Sequence, residues 1–175
     1  MTHRGLMLAL LAVAAIPAAS AQAATCAGAN TIPAAGNLAH ARSATLCLLN
    51  QQRRAHHLPA LRRNVPLRRA ATAFSQRMVR ERFFDHTAPD GSTFDQRIDA
   101  AGYGSSSALA ENIAWGSGSQ ATPARIVNAW MHSPGHRRNI LDGNLRDIGV
   151  GIAAASHDIG GQPAVTYTTD FGRRR

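Results

Sequence analysis

Trp130-Met131-His132-Ser133-Pro134-Gly135-His136-Arg137-Arg138-Asn139-Ile140-Leu141 decides the reading of this chain. A helix that ends in Trp-x-x-Ser meets Pro134, which cannot continue it, and Gly135, which accepts backbone angles closed to other residues. His136 then opens a new short segment. Two further stretches are built to present polar groups: Arg82-Phe83-Phe84-Asp85-His86 and Ala110-Glu111-Asn112-Ile113-Ala114-Trp115-Gly116. A fold that joins the three makes His86, Glu111 and His136 converge. Two imidazoles and a carboxylate suit a divalent metal or general acid–base chemistry. The intervals between them are not a local ligand spacing such as His-x-x-x-His on a helix. The residues alone therefore leave open a second reading, in which each histidine is a surface or core group satisfied by hydrogen bonds.

Outward from this stretch, Thr122 and Pro123 start the helix that carries Ile126, Val127 and Trp130 inward. Upstream, Asn64 is the expected N-cap of a helix striped by Leu67, Ala70, Ala71, Phe74 and Met78 and ending near Phe83. Ser92-Thr93-Phe94-Asp95 reads as a capping box before a helix striped by Phe94, Ile98 and Ala101, and residues 102–107 read as a Gly/Ser loop. The first helix is expected over 42–56. Downstream, Ile148, Val150 and Ile152 alternate with Gly149 and Gly151. Val165, Tyr167 and Thr169 repeat at the same period, with Gly160-Gly161 as the turn between them. A hairpin packed between helices makes an α+β layered domain. Trp115 and Trp130 are read as core anchors, while Asp170 is either a buried polar staple or part of the cleft.

The chain opens with His3 and Arg4, an apolar run from Leu6 to Ile16, and Ala21-Gln22-Ala23, the pattern of a secretory signal peptide over residues 1–23. The apolar run is shorter than the roughly 20 residues a spanning helix needs, so no membrane span is expected after cleavage. The only cysteines, Cys26 and Cys47, follow that segment; in an oxidising compartment a bridge is the economical reading, with two buried thiols as its alternative. The formal net charge is +9, and all 19 basic residues are arginine. Such a surface favours anionic partners such as lipid head groups or wall polymers, or is simply a solvated basic face. Nucleic acid is disfavoured by export and by the lack of aromatic residues among the arginine pairs Arg53-Arg54, Arg62-Arg63, Arg68-Arg69 and Arg137-Arg138.

Together, Trp130-x-x-Ser133-Pro134-Gly135-His136-Arg137-x-Asn139-Ile140, the Phe-Phe-Asp-His and Glu-Asn-Ile-Ala-Trp segments, Leu48-Leu49-Asn50-Gln51-Gln52-Arg53 and Tyr167-Thr168-Thr169-Asp170-Phe171-Gly172 resemble the CAP superfamily in its short bacterial branch. This is the family of the cysteine-rich secretory proteins, antigen 5 allergens and plant pathogenesis-related class-one proteins. The resemblance implies a three-layer α-β-α sandwich over 42–172, preceded by a leader over 24–41 and followed by a basic tail over 173–175. It also implies that His86, Glu111 and His136 line a central cleft, supported by Asn112, Ser133, Arg137 and Asn139. A divalent cation such as zinc is the implied ligand of that cleft. Animal and plant members commonly carry a second glutamate shortly after the helix tryptophan; Ser133 stands there in this chain, which weakens any mechanism that needs two carboxylates, glycoside cleavage included. The sequence reading is therefore a secreted binding or interaction module, more than an enzyme. A metal-assisted hydrolase of peptide or cell-wall material, with Glu111 as general base, is one alternative. An extracellular lipid or sterol binder is the other.

Overall fold

The computed structural model describes residues 25–159 and 162–175, and only the backbone of 155–159 and 162–163. The signal peptide expected over 1–23 and the Gly160-Gly161 turn lie outside the described residues. The elements run α1 (Leu38–Ala55), β1 (Arg62–Arg63), α2 (Val65–Glu81), α3 (Phe94–Ala100), β2 (Ser106–Ser117), a 3-10 turn (Gly118–Ala121), α4 (Pro123–His132), α5 (Pro134–Ile140), β3 (Asp147–Ile159) and β4 (Gln162–Arg174). The strands form one sheet in the order β1-β3-β4-β2. β3 pairs antiparallel with β4, β4 antiparallel with β2, and β1 parallel with β3. Helices cover both faces, giving the α+β, α-β-α sandwich that the motifs imply.

The two faces are built differently, and β3 shows why. Ile148, Val150 and Ile152 point to one side, into the main core with Leu46 and Leu49 of α1 and Val127 and Trp130 of α4. Gly149 and Gly151 point to the other, where α2 lies directly on the sheet. A Cβ on Gly149 would sit 2.0 Å from the Arg68 backbone nitrogen, and one on Gly151 2.1 Å from the Ala71 carbonyl carbon. Glycine in a strand interior here marks close approach of a second backbone. Phe74, Met78, Ala88 and Ile113 close the smaller core on that side.

Local signals place most helix starts. The Asn64 side chain accepts from Leu67 N at 3.1 Å and caps α2. Thr122 caps α4, with Pro123 at its first position. The cap of α3 is Thr93 and not Ser92: Thr93 N donates to Gln96 Oε1 at 3.1 Å. α1 begins at Leu38, inside the segment expected to be extended, and β4 takes in Arg173 and Arg174 of the expected tail. Pro134 and Gly135 both belong to α5; the break from α4 falls at Ser133, whose backbone is extended (φ −101°, ψ 119°), and Gly135 does not have a positive φ. β2 replaces part of the Gly/Ser loop and the Glu-Asn-Ile-Ala segment. Cys26 and Cys47 form a disulfide that ties the segment before α1 to that helix.

Candidate functional site

Strand alternation on β2 sorts the site. Glu111, Ile113 and Trp115 face the α2/α3 side, while Asn112 faces α5. Glu111 is buried, and each of its oxygens has a partner: Oε1 accepts from His86 Nδ1 at 2.8 Å, and Oε2 accepts from Arg97 Nη2 at 2.8 Å. Arg82 adopts a left-handed backbone (φ 58°) that ends α2 and redirects the chain through Phe83 and Phe84 to His86. Arg97 fixes that turn as well, donating to His86 O at 3.0 Å and Ser92 O at 2.7 Å with its guanidinium 3.4 Å from the Phe74 ring centroid. Sequence reasoning missed Arg97. Its signal was present: Arg97 lies three residues after Phe94 and four before Ala101, a charge placed on an otherwise apolar stripe.

The cluster has a second acid. Asp170 on β4 is the register partner of Glu111 and is fully buried. Burial, then the neighbouring Glu111, push its carboxyl far above the usual range, and the two side chains are hydrogen-bonded. Two adjacent carboxyls away from water resist ionising together, and burial drives Asp170 toward its neutral form. Asp170 Oδ1 has no hydrogen-bond partner. Asp170 thus lies beside Glu111 as an acid from β4, whereas the missing second glutamate would stand at Ser133, between α4 and α5.

On the opposite face, Asn112 Nδ2 donates to His136 O at 3.2 Å, and Asn112 Oδ1 accepts from Asn139 Nδ2 at 2.8 Å. Asn139 also reaches Glu111 O, and Trp130 Nε1 donates to Ile113 O at 3.1 Å. These bonds clamp α4 and α5 to β2, the outer strand of the sheet. His136 comes from this side and His86 from the other. Hydrogen bonding to Glu111 raises the His86 pKa, whereas burial, then the charge of His86, lowers that of His136. The two imidazoles are therefore neighbours with opposite protonation preferences.

Other expected members lie elsewhere. Arg137 points to the end of α1, donating to His56 Nε2 at 3.1 Å. The Ser133 hydroxyl makes no cap to α5. His132 bonds Asn128 O within α4, apart from His136. Trp130 is a core anchor, but Trp115 is 42% exposed and is not one. The donors do not fit a three-ligand zinc site as they stand. Both Glu111 oxygens already accept hydrogen bonds, from His86 and from the Arg97 guanidinium at 2.8 Å, and Asp170 is buried with its carboxyl pKa raised. Among the described residues no group of three or more His, Cys, Asp or Glu is arranged to hold a metal ion.

The model of the cysteine-rich secretory protein family matches residues 46–171. The chain is 43% identical over 106 residues to the protein YkwD of Bacillus subtilis (strain 168), covering 59% of this chain and 39% of that protein. It thus spans about two fifths of the length of that curated relative. A crystal structure of an extracellular protein containing an SCP domain from Bacillus anthracis superposes with a TM-score of 0.62 at 27% identity, over 74% of this chain and 39% of that one. An outer surface protein of Borrelia burgdorferi shares the fold, with a TM-score of 0.60 at 24% identity over 74% of this chain and 90% of that one. No helix among the described residues is long and apolar enough to cross a membrane.

Proposed function

Since the chain belongs to the cysteine-rich secretory protein family, we propose that it is a secreted binding module of the extracellular space or cell envelope, whose His86–Glu111–His136 cleft recognises a polar or anionic group on its ligand. The observation that carries this reading is the saturation of Glu111. A carboxylate whose two oxygens already accept from an imidazole and a guanidinium has neither oxygen directed at a ligand, and its use is to hold His86. Asp170 is buried away from the cleft surface and Ser133 supplies no carboxylate, so the cleft does not present the two accessible acids that glycoside cleavage uses. His86 is left with Nδ1 on Glu111 and Nε2 free, and its side chain is 50% exposed. The cleft thus offers an imidazole whose pKa is raised beside one whose pKa is lowered, the first favouring the donor form and the second retaining an acceptor for an oxygen-rich ligand group.

A second reading has one observation in its favour. The His86–Glu111 pair is also the orientation device of an acid–base catalyst, with the carboxylate fixing the tautomer of the imidazole. One experiment separates the two. Purified protein is incubated with isolated cell-wall material, with and without added zinc. Bound protein is read by sedimentation and released products by chromatography. The binding module predicts retention that His86→Ala weakens, with no product released. Product release that Glu111→Gln abolishes without lowering Tm would install the hydrolase instead.

A further inference from the structure

Away from this cleft, at the β1 edge of the sheet, α1 and α2 leave a groove of about 290 Å³. Its floor is aliphatic, formed by Leu46, Ile148 and Val150. Its rim carries three guanidiniums: Arg42 from α1, Arg63 from β1 and Arg68 from α2. No carboxylate lines it, and none of the ion pairs among the described residues involves any of the three. The acid opposite Arg62 in the β1–β3 register, Asp147, accepts instead from the Tyr103 hydroxyl at 2.9 Å. Arg63 is held over the groove by a 3.0 Å bond to Ser43 Oγ, and the N-terminus of the 17-residue α2, capped by Asn64, opens on the same space. Val65, a large aliphatic side chain at that terminus, is exposed.

Three cations around one depression repel one another, and no carboxylate among the described residues pairs with them. Burial, then the charge of Arg68, lowers the pKa of Arg42, in keeping with a guanidinium partly stripped of water beside a like charge. An oxyanion would relieve that repulsion, and the guanidinium fork matches phosphate geometry. An anion alone would leave the aliphatic floor wet. From this juxtaposition we propose that the Arg42/Arg63/Arg68 groove binds a phosphate ester of an apolar group, with the phosphate on the arginines and the apolar part on Leu46, Ile148 and Val150. The ester is either a soluble molecule or the head group of a membrane lipid.

The test is calorimetric titration of the secreted chain with hexyl phosphate, inorganic phosphate and hexanol. The same titrations are run on Arg42→Gln/Arg68→Gln and on Val65→Asn. Hexyl phosphate is expected to bind at least about tenfold more tightly than inorganic phosphate, as roughly two buried methylenes would give. The double arginine variant should lose at least about tenfold, since each charge-assisted hydrogen bond carries that much. Its Tm should hold or rise, because a like-charge contact is removed. Val65→Asn should weaken hexyl phosphate and leave inorganic phosphate unchanged. Co-sedimentation with phosphatidylglycerol vesicles, competed by hexyl phosphate, would identify the lipid head group as the source; binding of the monomer without the vesicles would identify a soluble ester. Equal affinity of wild type and the double variant, or inorganic phosphate binding as tightly as hexyl phosphate, would overturn the proposal.

Discussion

Arg53 is the residue whose burial the sequence hides most completely. It reads as half of an exposed arginine pair, yet it has no solvent exposure. Its guanidinium donates to four carbonyl oxygens, those of Pro59, Ile140, Asp142 and Leu145, at 2.8 to 3.2 Å. No carboxylate is needed, because the planar fork matches a ring of main-chain acceptors at the junction of α1, α5 and the approach to β3. Arg53→Met should destabilise by about 3 kcal/mol in urea unfolding, since four carbonyls are left buried without donors. Arg53→Lys should recover little, because an ammonium cannot span all four. Asp170 gives a prediction of the opposite kind. Its folded pKa is raised above the ordinary carboxyl value, so the stability it contributes is fully present below that value and is lost as pH rises toward the folded one. His86, also raised, adds a loss in the same direction above its ordinary value of 6.5. Unfolding free energy measured between pH 4 and 8 should therefore fall less steeply in Asp170→Asn than in wild type, because the amide keeps the neutral form at every pH. An unchanged slope would mean that Asp170 does not hold the proton.

At the scale of elements, the amphipathic helices and the β3–β4 hairpin are legible because each buries one stripe against one layer, and the period shows in the residues. β2 is not legible. Ser106–Ser117 is continuously buried only over Glu111, Asn112 and Ile113, and it carries alanines with one acid and one amide where a strand of clear alternation would carry branched residues. The His86–Glu111 contact could be read only as a family resemblance, because β2 is the element that positions Glu111. The glycines show the same limit. Gly135 sits in the most telling stretch of the sequence and has open space where a Cβ would go, whereas Gly151 has α2 backbone at 2.1 Å. Gly135→Ala is therefore expected to be neutral or to stabilise by up to about 1 kcal/mol, as alanine does in a helix. Gly151→Ala should cost about 3 kcal/mol or more by prying α2 from the sheet. Thermal unfolding of the pair decides it, and similar Tm shifts would refute the direct backbone contact.

For the molecule as a whole, the sheet is complete without the first described residues, which are docked on the helices α1 and α4. Residues 25–37 cross α1 and α4, and two links hold them: Ala124 N donates to Ala29 O at 2.9 Å, and Cys26 is bonded to Cys47 on α1. The bridge closes a span of 21 residues, for which the chain-entropy argument gives about 3 kcal/mol through the unfolded state. Its effect on the folded state is confined to the middle of α1 and the segment before it, because Glu111, Asp170, Arg97 and both histidines are placed by the sheet, α3, α5 and the loop after α2. Cys26→Ser/Cys47→Ser should therefore lower stability by about 3 kcal/mol and open 25–37 to proteolysis. It should leave the His86 titration measured by NMR where it is in wild type, held up by Glu111. A His86 pKa that fell along with the stability would show that the clamp on α1 reaches the cleft, and that the three layers move as one body.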